Sequence, residues 1–152
     1  MPKFLMSQSV VFITLLSTLA ASAMWWNGYF VTLNKPWFTL PLPLLATLWV
    51  GLGVSLWRSF EVFHDSLRLG SDETLHRLYG LLWVLYTGGL YAMFWVGVAW
   101  LGWAVTVGVV AALGWVVWRA YPHSQTLARR LRPAVYIGVY FLVVTLYIWV
   151  HN

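Results

Sequence analysis

The chain contains no cysteine, and only 9% of its 152 residues are charged, four of them acidic. Without thiols, disulfides, cysteine-ligated zinc, iron–sulfur clusters and thiolate catalysis are excluded. No Asp, Glu, Lys, Arg or His falls in the middle of any long apolar stretch. Proton relays, ion pumps and charge-coupled carriers keep such groups at membrane depth, so an ion-coupled carrier is disfavoured. The four histidines, His64, His76, His123 and His151, lie towards loops or the tail, which argues against two of them clamping a haem iron inside a bilayer. His64, His76 and His123 are expected to share one side of the membrane, but loop histidines in unrelated loops are usually only solvated. No nucleophile with a base, no metal cluster and no nucleotide loop is visible, which argues against an enzyme.

What remains is apolar. Four uncharged stretches, Phe4 to Asn34, Pro36 to Trp57, Leu78 to Trp118 and Pro133 to Val150, take up most of the chain. A bilayer core about 30 Å thick is crossed by roughly 20 helical residues, and a helix in lipid satisfies its own backbone. The third stretch would run about 60 Å as one rod, twice the core thickness, and must fold back. Gly97 and Gly102, with Trp95, Trp100 and Trp103 at headgroup level, place that turn between Trp95 and Trp103. The expectation is therefore an all-α, polytopic membrane protein: one domain, residues 1–152, built as a five-transmembrane-helix bundle with helices over roughly 8–26, 42–61, 75–96, 101–120 and 131–150.

Charge supports an odd number of crossings. Five spans put Lys3, Arg58, Arg68, Arg77, Arg119, Arg129, Arg130 and Arg132 on one side and leave Lys35 alone on the other. In an inner membrane the N-terminus is then cytoplasmic and Asn152 outside. The net charge of +5 reflects this topology and anionic lipid, with no reason to invoke nucleic acid. Lys3, an apolar core and Ala21-Ser22-Ala23 imitate a signal peptide, and the segment is read as a retained first span.

Small residues recur at every fourth position in Thr47, Gly51 and Ser55, and again in Ala104, Gly108 and Ala112. Such stripes serve close helix packing within one chain or across a homodimer. The stretch from Ser59 to Leu75 reads as a solvated connector, with Ser71 as the N-cap of the third helix and Asp72 and Glu73 in its acidic first turn. Arg77 and Tyr79 read as a basic, aromatic anchor at the end of that helix. Many tryptophans fall at the expected interfaces, among them Trp25, Trp26, Trp37, Trp57, Trp100, Trp118 and Trp149. Trp49, Trp83, Tyr86, Tyr91, Tyr136 and Tyr140 lie deeper, where an N–H or O–H needs a partner. They suit either helix-to-helix hydrogen bonds or a flat apolar ligand held by stacking.

The run from Tyr29 to Pro41, with Trp49 following, resembles the first loop and second helix of the tryptophan-rich sensory protein, or translocator protein (TspO), family. The family pattern is W-Y-x-x-L-x-K-P-x-W-x-P-P. Leu33, Lys35, Pro36, Pro41 and Trp49 match at the family spacing, Tyr29, Phe30 and Phe38 exchange aromatic for aromatic, and Leu40 replaces the first proline of the pair. The last helix is similar too, opening at Pro133 and closing at Asn152.

The resemblance implies a five-helix bundle, commonly dimeric, with a porphyrin-class pocket under the first loop. The implied ligand-binding residues are Phe30, Lys35, Pro36, Phe38, Pro41, Trp49, Tyr86, Ile137 and Phe141, with no metal, no catalytic group and no obligatory cofactor. Lys35-Pro36 and Pro41 would stiffen the loop as a lid. Ile137 stands where the family carries a tryptophan, and Phe141 where it carries a small residue. Phe141 brings a ring into the expected cavity, and Gly88 and Gly89 could return space from the facing helix. If the pocket is filled, the alternative is an accessory subunit of a larger membrane complex, one that could carry pigments.

Overall fold

In the computed structural model, residues 32–65, 72–91 and 98–152 are described, and within them the fold is entirely helical. Four helices are seen there: α1 (Leu42–Asp65), α2 (Glu73–Tyr91), α3 (Ala99–Ala120) and α4 (Gln125–His151). The helix expected over 8–26 lies outside the described residues, as do Ser71, Arg68, Trp25, Trp26, Trp95 and the core of the turn expected before Trp103.

Each helix buries one stripe at three- and four-residue spacing. On α1 it runs through Leu45, Trp49, Leu52, Leu56, Phe60 and Phe63; on α2 through Leu75, Leu78, Leu82 and Tyr86. On α3 it is Thr106, Val109, Leu113 and Val116, and on α4 Leu131, Ala134, Phe141, Val144 and Ile148. That spacing sets the side chains one above another on one face of a 3.6-residue helix. The helix α4 lies between α1 and α3, α2 packs on the far side of α3, and α1 and α2 touch sparingly. Glycines allow the close approaches: a Cβ on Gly51 would meet Ile137 of α4 at 3.6 Å, on Gly108 Leu85 of α2 at 3.2 Å, and on Gly138 Val110 of α3 at 3.2 Å. The stripes through Gly51 and Gly108 therefore serve contacts inside the chain.

Two of the described helices, α3 and α4, are long and apolar enough to cross a membrane, and only a third of each apolar window is buried. The outward remainder carries Val107, Trp115, Val139, Val143 and Leu146. Hydroxyls within the helices turn back on their own backbones. Thr106 donates to Gly102 O at 2.8 Å, Thr145 to Phe141 O at 2.7 Å and Thr87 to Trp83 O at 2.9 Å. This bonding suits apolar surroundings, where an unsatisfied polar group costs several kcal/mol.

Successive helices run antiparallel, giving the bundle two distinct ends. At one end Asn34, just before α1, bonds to Asn152 beyond α4, and Trp103 stacks on Trp149. At the other, Ser59 of α1 meets Tyr79 of α2 and Arg119 of α3 meets Asp72. Of the described lysines and arginines, Arg58, Arg77, Arg119, Arg129, Arg130 and Arg132 gather towards this second end, and Lys35 lies at the first.

Several boundaries differ from expectation. The helix α1 continues to Asp65, because Phe60 and Phe63 are buried against Tyr79 and His76, so Ser59 to Asp65 is packed helix rather than solvated connector. Tyr79 is fully buried and donates to Ser59 Oγ at 3.0 Å, which removes it from any anchoring role at a surface. His64, His76 and His151 stand within helices instead of loops. The last helix begins at Gln125, not 131. Pro133 lies inside it, at the cost of the bond that its absent N–H would give Arg129 O, while Ser124 caps the start by accepting from Leu127 N at 3.3 Å.

The cap of α2 is Asp72. Its carboxylate accepts from Thr74 N at 3.0 Å and Leu75 N at 3.2 Å and pairs with Arg119 Nε at 3.0 Å, tying the start of α2 to the end of α3. Partial burial pushes this carboxyl up, but the Arg119 guanidinium and the two backbone N–H groups outweigh it and hold the group below its ordinary range. A carboxyl depressed in the folded state contributes stability above its unfolded pKa of about 4, and that contribution fades as pH falls through the folded value. Asp72→Ala, losing cap and ion pair, is expected to cost about 1–2 kcal/mol at neutral pH. Asp72→Asn keeps the cap and should cost less than about 1 kcal/mol. Melting midpoints across a pH series check both, with the acid-sensitive component missing in either variant.

Candidate ligand site beneath the first loop

The loop from Thr32 to Pro41 turns tightly, Thr39 N donating to Pro36 O at 2.9 Å. Pro36 is buried in the turn, while Trp37 is 96% exposed at its tip, its ring edge-on to Phe38 at 5.7 Å. Two clamps fasten this loop to α4. In the first, Asn34 N donates to Asn152 Oδ1 at 2.9 Å and Asn152 Nδ2 returns a bond to Asn34 O at 3.0 Å. In the second, the Tyr140 hydroxyl accepts from Leu40 N at 3.0 Å and donates to Phe38 O at 3.3 Å.

Removing the Tyr140 hydroxyl strands both loop groups at once. Tyr140→Phe should cost about 1–2 kcal/mol. Hydrogen exchange at the Leu40 amide should accelerate accordingly, while exchange in α3 stays unchanged.

From Tyr140 an unbroken path of rings leads into the core. Tyr140 meets Phe141 at 5.8 Å, Phe141 stands edge-on to Trp49 at 5.0 Å and 85°, Tyr86 stacks on Trp49 at 5.2 Å and 9°, and Trp83 stacks on Tyr86 at 5.2 Å. Trp49 of α1 is fully buried, and two further helices, α2 through Tyr86 and α4 through Phe141, each set a ring against it. The far edge of its indole fits over Gly89, where a Cβ would lie 2.9 Å from Cζ2 and 3.1 Å from Cη2. The space that Gly89 frees is thus taken by Trp49, while Gly88 is exposed with open space beside it.

Of the residues expected at the site, Trp49, Tyr86 and Phe141 are brought together. Ile137 packs against Gly51, one turn from Phe141. Phe38 and Pro41 belong to the loop, Pro41 exposed with its carbonyl accepting from Leu44 N and Leu45 N. Lys35 is half-buried, its ammonium donating to Leu33 O at 3.1 Å, and desolvation pulls its pKa below the usual lysine value. Phe30 lies outside the described residues. Tyr140 is the residue that site reasoning overlooked. The sequence marks it only as a deep phenol in need of a partner, and the loop backbone is that partner.

The Trp49 indole Nε1–H is buried and has no hydrogen-bond partner among the described residues, and the same holds for Thr39 Oγ1. A buried donor left unbonded costs about 1–3 kcal/mol, which a ligand acceptor would recover. Rings stacked around a buried donor are the kind of surface on which a flat molecule stacks. Among the described residues no group of three His, Asp or Glu side chains could hold a metal ion. No family model matches the chain, and no curated protein matches it.

Proposed function

We propose that this chain is an integral membrane protein of the TspO type, a five-helix bundle whose first span precedes the described helices. It holds a flat apolar ligand of the tetrapyrrole class beneath its first loop and serves a sensory, regulatory or transport role. The observation that carries this reading is Trp49: a buried indole with an unbonded N–H, ringed by Tyr86 and Phe141 below a loop clamped to α4. In this reading the arginine-rich end is cytoplasmic, with the N-terminus, and Asn152 lies on the opposite side. The bilayer is its constant partner, and a homodimer is the assembly that the family resemblance implies.

Titration of the purified protein with a porphyrin, followed by tryptophan quenching, tests the proposal. Saturable quenching that weakens in Trp49→Phe supports it. Quenching that never saturates, or that is indifferent to position 49, removes it.

One observation favours a second reading, that of an accessory subunit in a larger membrane assembly. Phe141 lies in ring contact with Trp49, occupying the place where a ligand would be expected to stack. Gentle extraction from the native membrane should then yield a complex larger than a dimer, and recovery as free protein would count against that reading.

A further inference from the structure

Acidic and basic residues are divided unevenly between the halves of the bundle. All four carboxylates, Glu61, Asp65, Asp72 and Glu73, belong to α1 and α2 or the residue before α2, and residues 98–152 contain none. One of the four crosses over, Asp72 to Arg119, and Glu73 is taken by Arg77. Arg129, Arg130 and Arg132 are exposed and form no ion pair among the described residues. These three lie within about one turn near the start of α4, immediately before its uncharged stretch begins at Pro133. Their depth is therefore that of the boundary between hydrocarbon and water. Exposed aromatic rings mark the same zone. Trp115 and Trp118 stand in the last turns of α3, antiparallel to the start of α4, and Tyr136 follows one turn after Arg132, 72% exposed. Amphipathic rings of this kind settle among headgroups, and arginine stems lie along apolar surface with the guanidinium in the polar layer.

We infer that the α3–α4 hairpin is a docking surface for anionic phospholipid, whose phosphates are held by Arg129, Arg130 and Arg132 between the rings of Trp118 and Tyr136. Guanidinium groups suit this role, because their planar donors pair with phosphate oxygens two at a time. The inference rests on the membrane reading above and not on any ligand beneath the first loop.

Spin-labelled lipids tested against the purified protein in phosphatidylcholine vesicles decide it. At low salt, phosphatidylglycerol should be preferred to phosphatidylcholine at the protein surface by about fivefold, and the preference should collapse near about 1 M salt. The triple variant R129Q/R130Q/R132Q should show less than about twofold preference. Arg58→Gln, on the exposed face of α1, should retain the wild-type value. R129K/R130K/R132K, which keeps the charge but loses the paired donors, should fall between wild type and the glutamine variant. An unchanged helical circular-dichroism spectrum of the glutamine variant guards against misfolding. Equal association of both lipids with the wild-type protein, or an unchanged preference in the triple glutamine variant, overturns the inference. No motionally restricted lipid of either kind would instead overturn the membrane reading itself.

Discussion

Trp49→Ala will be the most destabilising single substitution in the described core, lowering stability by about 3–5 kcal/mol. The indole touches the rings of Tyr86 and Phe141 and fits over Gly89, so truncation leaves a void bordered by three helices. In a bilayer the loss is one of packing contact more than of hydrophobic transfer, because lipid tails are as apolar as the core. That consideration places the effect towards the lower part of the range. Thermal unfolding in detergent measures it. Trp49→Phe, which retains a ring but loses the unbonded N–H, should recover most of the stability while failing to restore ligand quenching. A melting point in Trp49→Ala within a degree of wild type would mean that the ring cluster is not the centre of the bundle.

Phe141→Ala should separate stability from binding. Removing this ring costs about 3 kcal/mol or more through the cavity it leaves. The cavity left between Trp49 and Tyr140 would be lined by apolar rings, and apolar voids take up apolar guests readily. Porphyrin affinity is therefore expected to rise by about tenfold, a gain of about 1.4 kcal/mol, although the protein itself is weakened. Parallel titrations of wild type and variant check this. A fall in affinity alongside the fall in stability would indicate that Phe141 is itself part of the binding surface rather than what fills it.

The difference between the read sequence and the observed fold lies mostly at helix ends. Apolar spacing placed α1, α2, α3 and α4 in nearly the right intervals, since a stripe at three- and four-residue steps has little alternative in such a composition. Their ends were set by contacts that spacing does not carry. Phe63 extends α1 past Arg58 and Glu61 because Tyr79 and His76, in a different helix, cover it. Proline spacing puts the start of α4 six residues late, whereas Pro133 forfeits one hydrogen bond in a helix already fixed by Ser124 and by the burial of Leu127 and Leu131. Asp72 caps α2 through Thr74 N and Leu75 N, and its pairing with Arg119, 47 residues on, is what spacing does not carry.

The site shows the same division. Trp49 is legible from a resemblance in motif, Tyr86 as a deep aromatic and Phe141 as a departure from the family pattern, and their convergence is seen in the fold. Tyr140 could not be ranked above Tyr136 by sequence, since both are tyrosines on the last helix. One faces outward, and the other reaches the backbone of a loop about a hundred residues earlier.

The bonds that tie helix to helix or loop to helix stand towards the two extremities: Asp72 with Arg119 and Tyr79 with Ser59 at one, Asn34 with Asn152 and Tyr140 with the loop backbone nearer the other. Between them the rods are in contact through rings and small residues, with threonine hydroxyls folded back on their own backbones. A bundle stapled in this manner can swell at its waist without breaking a staple, as a barrel hooped at top and bottom bulges between the hoops. Among the described residues, accommodation of a guest near Trp49 would then be resisted chiefly by lost van der Waals contact, a gradual penalty that a shallow rearrangement of side chains can meet.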